Sequence, residues 1–196
     1  MGGMRGGTGR IVGEGATAAA RYGAGPAVGA DGTVYFGTED GDGSFYAVSA
    51  SGALKWKKTL GAAVKASPAV TSDGVVYALA NGGLLFALDA TSGAEKWSAV
   101  QSGDAGGVAV DRDGTVYFGT SKGIWAYSDN GSLKWTCDTA HAVTARGGLL
   151  AIAGPILSAT LTSKGACATF DAATGPDVGT MDSAACSRYS RVVSCH

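Results

Sequence analysis

Charge, proline, histidine and long apolar runs are all scarce in this 196-residue sequence, and each scarcity excludes a class of function. Charged residues make up 16% of the chain, the formal net charge is −1, and the lysines and arginines are scattered. Such a surface offers no basic patch to nucleic acid or to an anionic membrane. No segment reaches the ~18 apolar residues that span a bilayer; the best, Gly147 to Ala159, is broken by Gly154 and Pro155. The opening MGGMRGGTGR is followed by no apolar stretch, so no signal peptide is visible in this chain. Of the two histidines, His141 stands where a repeated unit begins and His196 is the last residue, so a histidine metal site or a catalytic triad is poorly supported. Gly7-Thr8-Gly9 lacks the spacing and the preceding strand of a nucleotide loop. Asp40-Gly41-Asp42 begins like a calcium loop, but Phe45 and Ser51 stand where that loop needs Gly and Glu. It reads as an acidic hairpin.

Cysteine is sparse as well. Cys137, Cys167, Cys186 and Cys195 lie in the last third without any C-x-x-C, which argues against a zinc or thioredoxin site. One or two disulfides and free buried thiols are both open. Against four prolines stand thirty-three glycines, a balance that predicts many tight turns.

What the sequence does have is a repeat. Asp31-Gly32, Asp73-Gly74 and Asp113-Gly114 are spaced 42 and 40 residues apart, and Tyr35, Tyr77 and Tyr117 keep the same steps. Trp56, Trp97 and Trp135 follow at 41 and 38. A period near 40 indicates propeller blades or helical arrays. Short β-branched and aromatic runs such as Thr33-Val34-Tyr35-Phe36, without any sustained helical period, decide for strands. The Asp-Gly pairs suit two-residue hairpins. In the second unit the pattern predicts strands at 67–71, 74–80, 84–89 and 94–99, four per unit, as in a propeller blade.

The predicted fold is therefore all-β, about four blades of four antiparallel strands, forming part of a propeller. The units fall near 26–66, 67–106, 107–138 and 139–175. Residues 1–25 form a glycine- and alanine-rich segment, the remnant of a preceding blade, and 176–196 a tail or cap. The fourth unit is degraded. AVTARGGLLAIAG tracks AVTSDGVVYALAN and FDAATG tracks LDATSG, but the Trp expected near Gly179 is missing. His141 takes the place of Pro68 at its start, and Asn130-Gly131-Ser132 reads as a hairpin turn rather than a glycosylation site.

The second unit carries A-x-D-x-x-x-G-x-x-x-W as Ala87, Asp89, Gly93 and Trp97. This resembles the tryptophan-docking motif of the quinoprotein-like (pyrroloquinoline quinone-like) propeller repeat. The first unit keeps Ala47, Gly52 and Trp56, and the third keeps Ala126, Gly131 and Trp135, with Ser49 and Ser128 in place of the aspartate. The resemblance implies that these residues are structural, with each Trp laid over the neighbouring blade. Enzymes of the family bind the quinone with a calcium ion and a catalytic aspartate, and many carry two adjacent cysteines. No such pair occurs here, and no catalytic, cofactor-binding or metal residue can be assigned by motif, so no cofactor is expected.

The leading expectation is a non-catalytic binding or scaffold module with a protein or polymer partner. The resemblance implies placement in the bacterial envelope, periplasm or extracellular space, in interaction or sensing. The alternative is a fragment of a pyrroloquinoline quinone-dependent dehydrogenase. An incomplete arc would leave its end faces open, with Val34, Phe36, Tyr46 and Val48 supplying both faces of the first unit, and self-association to complete a ring would cover them.

Overall fold

The structure is a computed structural model; it describes residues 24–39 and 43–138, and the backbone of strands at 8–10, 19–21, 150–153, 156–160, 166–171 and 191–194. It is all-β in these residues. After a two-stranded pair, β1 (Thr8–Arg10) and β2 (Ala19–Arg21), come four four-stranded antiparallel sheets, each a meander in chain order. The first sheet is β3 (Ala27–Val28), β4 (Val34–Gly37), β5 (Ser44–Val48) and β6 (Leu54–Thr59). The second is β7 (Ala69–Val70), β8 (Val75–Ala80), β9 (Leu84–Asp89) and β10 (Glu95–Val100), within a residue or two of the predicted strands. The third is β11 (Ala105–Val110), β12 (Val116–Thr120), β13 (Gly123–Tyr127) and β14 (Leu133–Asp138). The fourth is β15 (Leu150–Ala153), β16 (Ile156–Thr160), β17 (Ala166–Asp171) and β18 (Arg191–Ser194). Its outer strand thus comes from the non-repeating C-terminal segment.

The first hairpin of each of the first three units departs from the two-residue expectation. In the second unit Thr71 N–H donates to the Val75 carbonyl at 2.9 Å and Gly74 N–H to the Thr71 carbonyl, which encloses three residues. Gly74 has φ 84°, the left-handed residue that ends a three-residue loop. The same pattern links Gly29 to Thr33 and Asp111 to Thr115. The glycine supplies the positive φ, while the free amide two residues after the aspartate donates to its carboxylate in the first and third units, as Thr33 does to Asp31 at 3.0 Å, and the Val75 amide donates to the Thr71 hydroxyl in the second.

Strand alternation explains the core. Val76, Ala78 and Ala80 face the first sheet, where they meet Tyr35, Phe45 and Trp56. The intervening Tyr77 and Leu79 face the third sheet and meet Val116, Phe118 and Trp125. A strand buried on both faces needs an unbroken apolar run, which is why Val75–Ala80 lacks the polar alternation of a half-exposed strand.

The four apolar residues of the first sheet do not divide between its faces. Val34 lies across from Val48 and Phe36 across from Tyr46, so the register puts all four on one face. Phe36, Tyr46 and Val48 are buried there as a separate small cluster, with Phe36 and Tyr46 stacked at 5.3 Å. The opposite face, toward the second sheet, carries Tyr35, Phe45 and Ala47 instead.

Candidate functional site

The motif residues assemble at the joints between sheets. In each of the first three units a Tyr, an Ala and a Trp lie side by side across three strands: Tyr35, Ala47 and Trp56; Tyr77, Ala87 and Trp97; Tyr117, Ala126 and Trp135. Directly paired residues share a face, so the two rings flank the alanine. The ring centroids stand 5.9, 5.8 and 5.7 Å apart in the three units. A side chain larger than methyl between them would push the rings apart. All three alanines are fully buried.

Trp56 and Trp97 then reach the next unit. Trp56 Nε1 donates to the Ala90 carbonyl at 3.0 Å, and Trp97 Nε1 donates to the Asp129 carbonyl at 2.6 Å. The ring of Trp56 lies against Gly93: a methyl placed on that glycine would stand 2.7 Å from Trp56 Cδ2. At Gly131 the same methyl would stand 2.9 Å from Trp97 Cδ2. Glycine is required twice over there, by this approach and by φ of 72° and 86°. Trp56 is buried, whereas Trp97 is only partly so and stacks on Tyr127 at 6.1 Å. Trp135 is buried, and its Nε1 has no hydrogen-bond partner among the described residues. By repeat alignment its acceptor would be Ala172, which lies outside them.

Turn chemistry explains why the motif tolerates serine. In the second unit four residues separate Asp89 from Ala94, and Asp89 Oδ1 accepts from the Thr91 and Ser92 amides and the Ser92 hydroxyl. Those bonds hold its carboxyl below the usual range, the Ser92 amide and hydroxyl contributing most. The first and third turns are one residue shorter. There the shorter serine arm suffices, Ser49 Oγ accepting from Ala53 N–H and Ser128 Oγ from Ser132 N–H, both at 3.1 Å. Asn130 Oδ1 accepts from Ser132 N–H and the Ser128 hydroxyl, in keeping with a turn at Asn130-Gly131.

A second constellation was not singled out from sequence. A β-bulge beside each Trp leaves one lysine out of register: Lys55, Lys96 and Lys134. Lys55 Nζ reaches Asp31 and the Thr33 hydroxyl, both at 3.0 Å; Lys134 reaches the Thr115 hydroxyl at 2.7 Å and Asp113 at 3.6 Å. Thr33 and Thr115 are buried, so these partners satisfy hydroxyls that would otherwise cost free energy. The Thr33 hydroxyl and amide, followed by Lys55, hold the Asp31 carboxyl far below the ordinary range. Asp113 is lowered in the same way, mainly by the Thr115 amide and hydroxyl. The second unit has Val75 in place of the threonine, and no ion pair joins Lys96 to Asp73 among the described residues. The spacing D-G-T…L-K-W was the available signal.

Between the second and third units these turns border an open cleft of about 510 Å³, lined by Thr71, Asp73, Tyr77, Asp111, Arg112 and Asp129 among others. Burial pushes the Tyr77 phenol up to about 12. Among the described residues no three His, Cys, Asp or Glu side chains are placed to hold a metal ion. Asp40 to Asp42, both histidines and all four cysteine side chains lie outside the described residues.

The family model described as outer membrane protein assembly factor BamB matches residues 5–175. Among solved structures, BamB from Moraxella catarrhalis superposes with a TM-score of 0.67 at 24% identity, over 82% of this chain and 49% of that one. The computationally designed Ika4 protein superposes with a TM-score of 0.63 at 17% identity, over 78% of this chain and 91% of that one. At these identities the structural likeness is one of fold. The chain spans about half the length of the Moraxella protein. No curated protein matches it.

Proposed function

The chain belongs to the family of the outer membrane protein assembly factor BamB, and on that premise we propose that it is a non-catalytic propeller module whose work is protein–protein interaction. The observation that carries this reading is the use to which the recurring residues are put. Trp56 and Trp97 bond across sheet joints, and the Asp and Lys of the repeat tie hairpins together. The chemistry of the repeat is thereby engaged in holding sheets side by side, which leaves turns and rims for a partner. The finer reading follows the family name: placement in the bacterial envelope, with a partner that takes part in assembling outer membrane proteins. No helix among the described residues is long and apolar enough to cross a membrane.

Cross-linking of the full chain in envelope preparations tests this. The expected result is a discrete envelope protein whose yield falls when the rim is altered by Asp73→Lys with Arg112→Glu. Equal capture by both forms overturns it. The dehydrogenase alternative has its own readout: quinone and calcium should give no dye reduction with alcohols or aldoses. Pairing of two copies into a ring is the narrower form of the partner reading. Light scattering should then show a species near twice the 19.3 kDa chain mass, and a monodisperse monomer refutes it.

A further inference from the structure

The joint between the second and third sheets is built from described residues on both sides, and it differs from the joint before it at three polar groups. The first is a hydroxyl. Tyr35 donates to the Ala90 carbonyl at 3.1 Å, whereas the Tyr77 hydroxyl has no hydrogen-bond partner among the described residues, although Tyr77 is only 1% exposed. Its side chain borders the cleft that opens here. The second group is the Asp73 carboxylate. Its counterparts Asp31 and Asp113 are held by Thr33 and Thr115 and pair with Lys55 and Lys134. Val75 has no hydroxyl to offer and its amide is taken by Thr71, so Asp73 has no ion pair or hydrogen bond among the described residues. The third is Asp129. Three residues beyond the alanine paired with Trp, the second unit has buried Ala90 and the third has exposed Asp129. Its carboxylate is likewise unpaired among the described residues, its carbonyl alone being used, by Trp97. After burial, the charges of Asp73 and Asp129 are what raise the Tyr77 phenol, so both stand close to it. A hydroxyl this deep is costly to leave unbonded.

We propose that this cleft binds the head of an organic cation, a guanidinium or primary ammonium group on an alkyl stem, held by Asp73, Asp129 and the Tyr77 hydroxyl. The charges lining the cleft suit it: Asp73, Asp111, Asp113 and Asp129 stand against Arg112. Lys134 engages Asp113, and Asp111 accepts from the Arg112 amide, which leaves Asp73 and Asp129 for a ligand. Lys96 borders the adjoining hollow with both of these carboxylates but forms an ion pair with neither. A guanidinium or ammonium head carries enough N–H donors to reach two carboxylates and the phenol oxygen together. Val70 and Val110 offer apolar surface to the stem. A metal ion is a poorer match, because among the described residues no three ligating side chains converge. An arginine or lysine side chain and a free alkyl cation present the same chemistry to the cleft. The site requires no envelope partner, so it stands or falls apart from the function proposed above.

The test titrates the full ¹⁵N-labelled chain with N-acetyl-arginine methylamide, with butylguanidinium, and with N-acetyl-norleucine methylamide as the uncharged probe. Both guanidinium probes should shift the amide signals of residues 71–74, 111–114 and 129–130 with a Kd on the order of 1 mM. The norleucine probe should shift none of them. Asp73→Asn and Asp129→Asn should each weaken binding about fivefold, as a partly exposed charge pair allows. Tyr77→Phe removes a hydroxyl that bonds to no described residue, so it should weaken binding about threefold without lowering Tm. Asp104→Asn, at the other end of β11, controls for net charge and should leave the Kd unchanged. Tighter binding of the blocked arginine than of butylguanidinium supports a polypeptide source, and equal binding supports a free alkyl cation. Shifts that are absent, that are equal for the norleucine probe, or that are indifferent to Asp73→Asn and Asp129→Asn overturn the proposal. So does calcium chloride shifting the same amides at lower concentration than either guanidinium probe.

Discussion

Gly93 offers a way to measure a sheet joint without removing its tryptophan. Gly93→Ala incurs two costs: an L-residue at φ 72°, and a methyl 2.7 Å from Trp56 Cδ2 with Cε3 nearly as close. The first costs about 1 kcal/mol; overpacking of a buried contact adds roughly 1–3 kcal/mol. Gly52→Ala, at φ 87° with no atom within 4 Å, incurs only the first cost and serves as the internal control. For a chain of this size about 1 kcal/mol corresponds to roughly 2–4 °C in Tm. Gly52→Ala should thus lower Tm by about 2–4 °C and Gly93→Ala by roughly 4–16 °C. Trp56→Ala, which empties the site, should cost about 3–5 kcal/mol. Once the ring is gone the added methyl has nothing to strike. The double mutant should therefore exceed Trp56→Ala by only about 1 kcal/mol, a coupling of roughly 1–3 kcal/mol in the cycle. Thermal and denaturant unfolding of the four proteins of the cycle and of Gly52→Ala measure it. Equal costs at Gly52 and Gly93, or a cycle that sums to zero, refute the account of the joint.

Four further outcomes follow from named contacts. Trp56→Phe keeps an aromatic ring but removes the N–H and part of the buried indole surface; the Ala90 carbonyl retains the Tyr35 hydroxyl at 3.1 Å, so the loss should be roughly 1–3 kcal/mol, below that of Trp56→Ala, read in urea unfolding. Thr33→Val gives the first unit the hydrophobic residue of the second and should raise the Asp31 carboxyl toward ordinary values while Asp113 stays put, followed by carboxylate NMR. Tyr77 titrates near 12, above its unfolded value near 10. Its neutral form is the one favoured by folding, so that stability is complete below about pH 10 and is lost as pH rises to 12, seen as a delayed phenolate absorbance step. The depressed Asp31, Asp89 and Asp113 act in the opposite window: their contribution is complete above about pH 4 and fades as acid protonates them in the folded state, detectable as falling Tm.

Much of this was legible in the chain because a repeat reports the same physics several times. Tyr, Asp-Gly and Trp in constant phase gave the strands of the second unit to within a residue or two, since each landmark is tied to one position in a blade. The role of Tyr35, Tyr77 and Tyr117 was less plain. They stood out as spacing marks, but their closeness to the tryptophans depends on cross-strand register, with the alanine as the small residue between two rings. Hairpin length was misread for a related reason. An Asp-Gly pair fits a two-residue or a three-residue loop, and only the hydrogen bond from Thr71 to Val75 selects the longer one.

The face assignment in the first unit shows where such reading stops. Apolar residues occur at both odd and even positions of β4, so composition alone offers side chains to both sides. Pairing of Val34 with Val48 and Phe36 with Tyr46 sends the four to one side, and a one-residue shift would have sent them to the other. Register also decides which unit a ring serves. The same turn geometry recurs at Gly52, Gly93 and Gly131, yet only the latter two lie under an indole, because a socket is made by one unit and filled by its neighbour. A motif scored within one unit cannot record that. The first unit contains Trp56, so its motif reads as complete, although that ring serves the second unit. Counting donors and sockets along the chain, rather than motifs, shows which unit each ring serves.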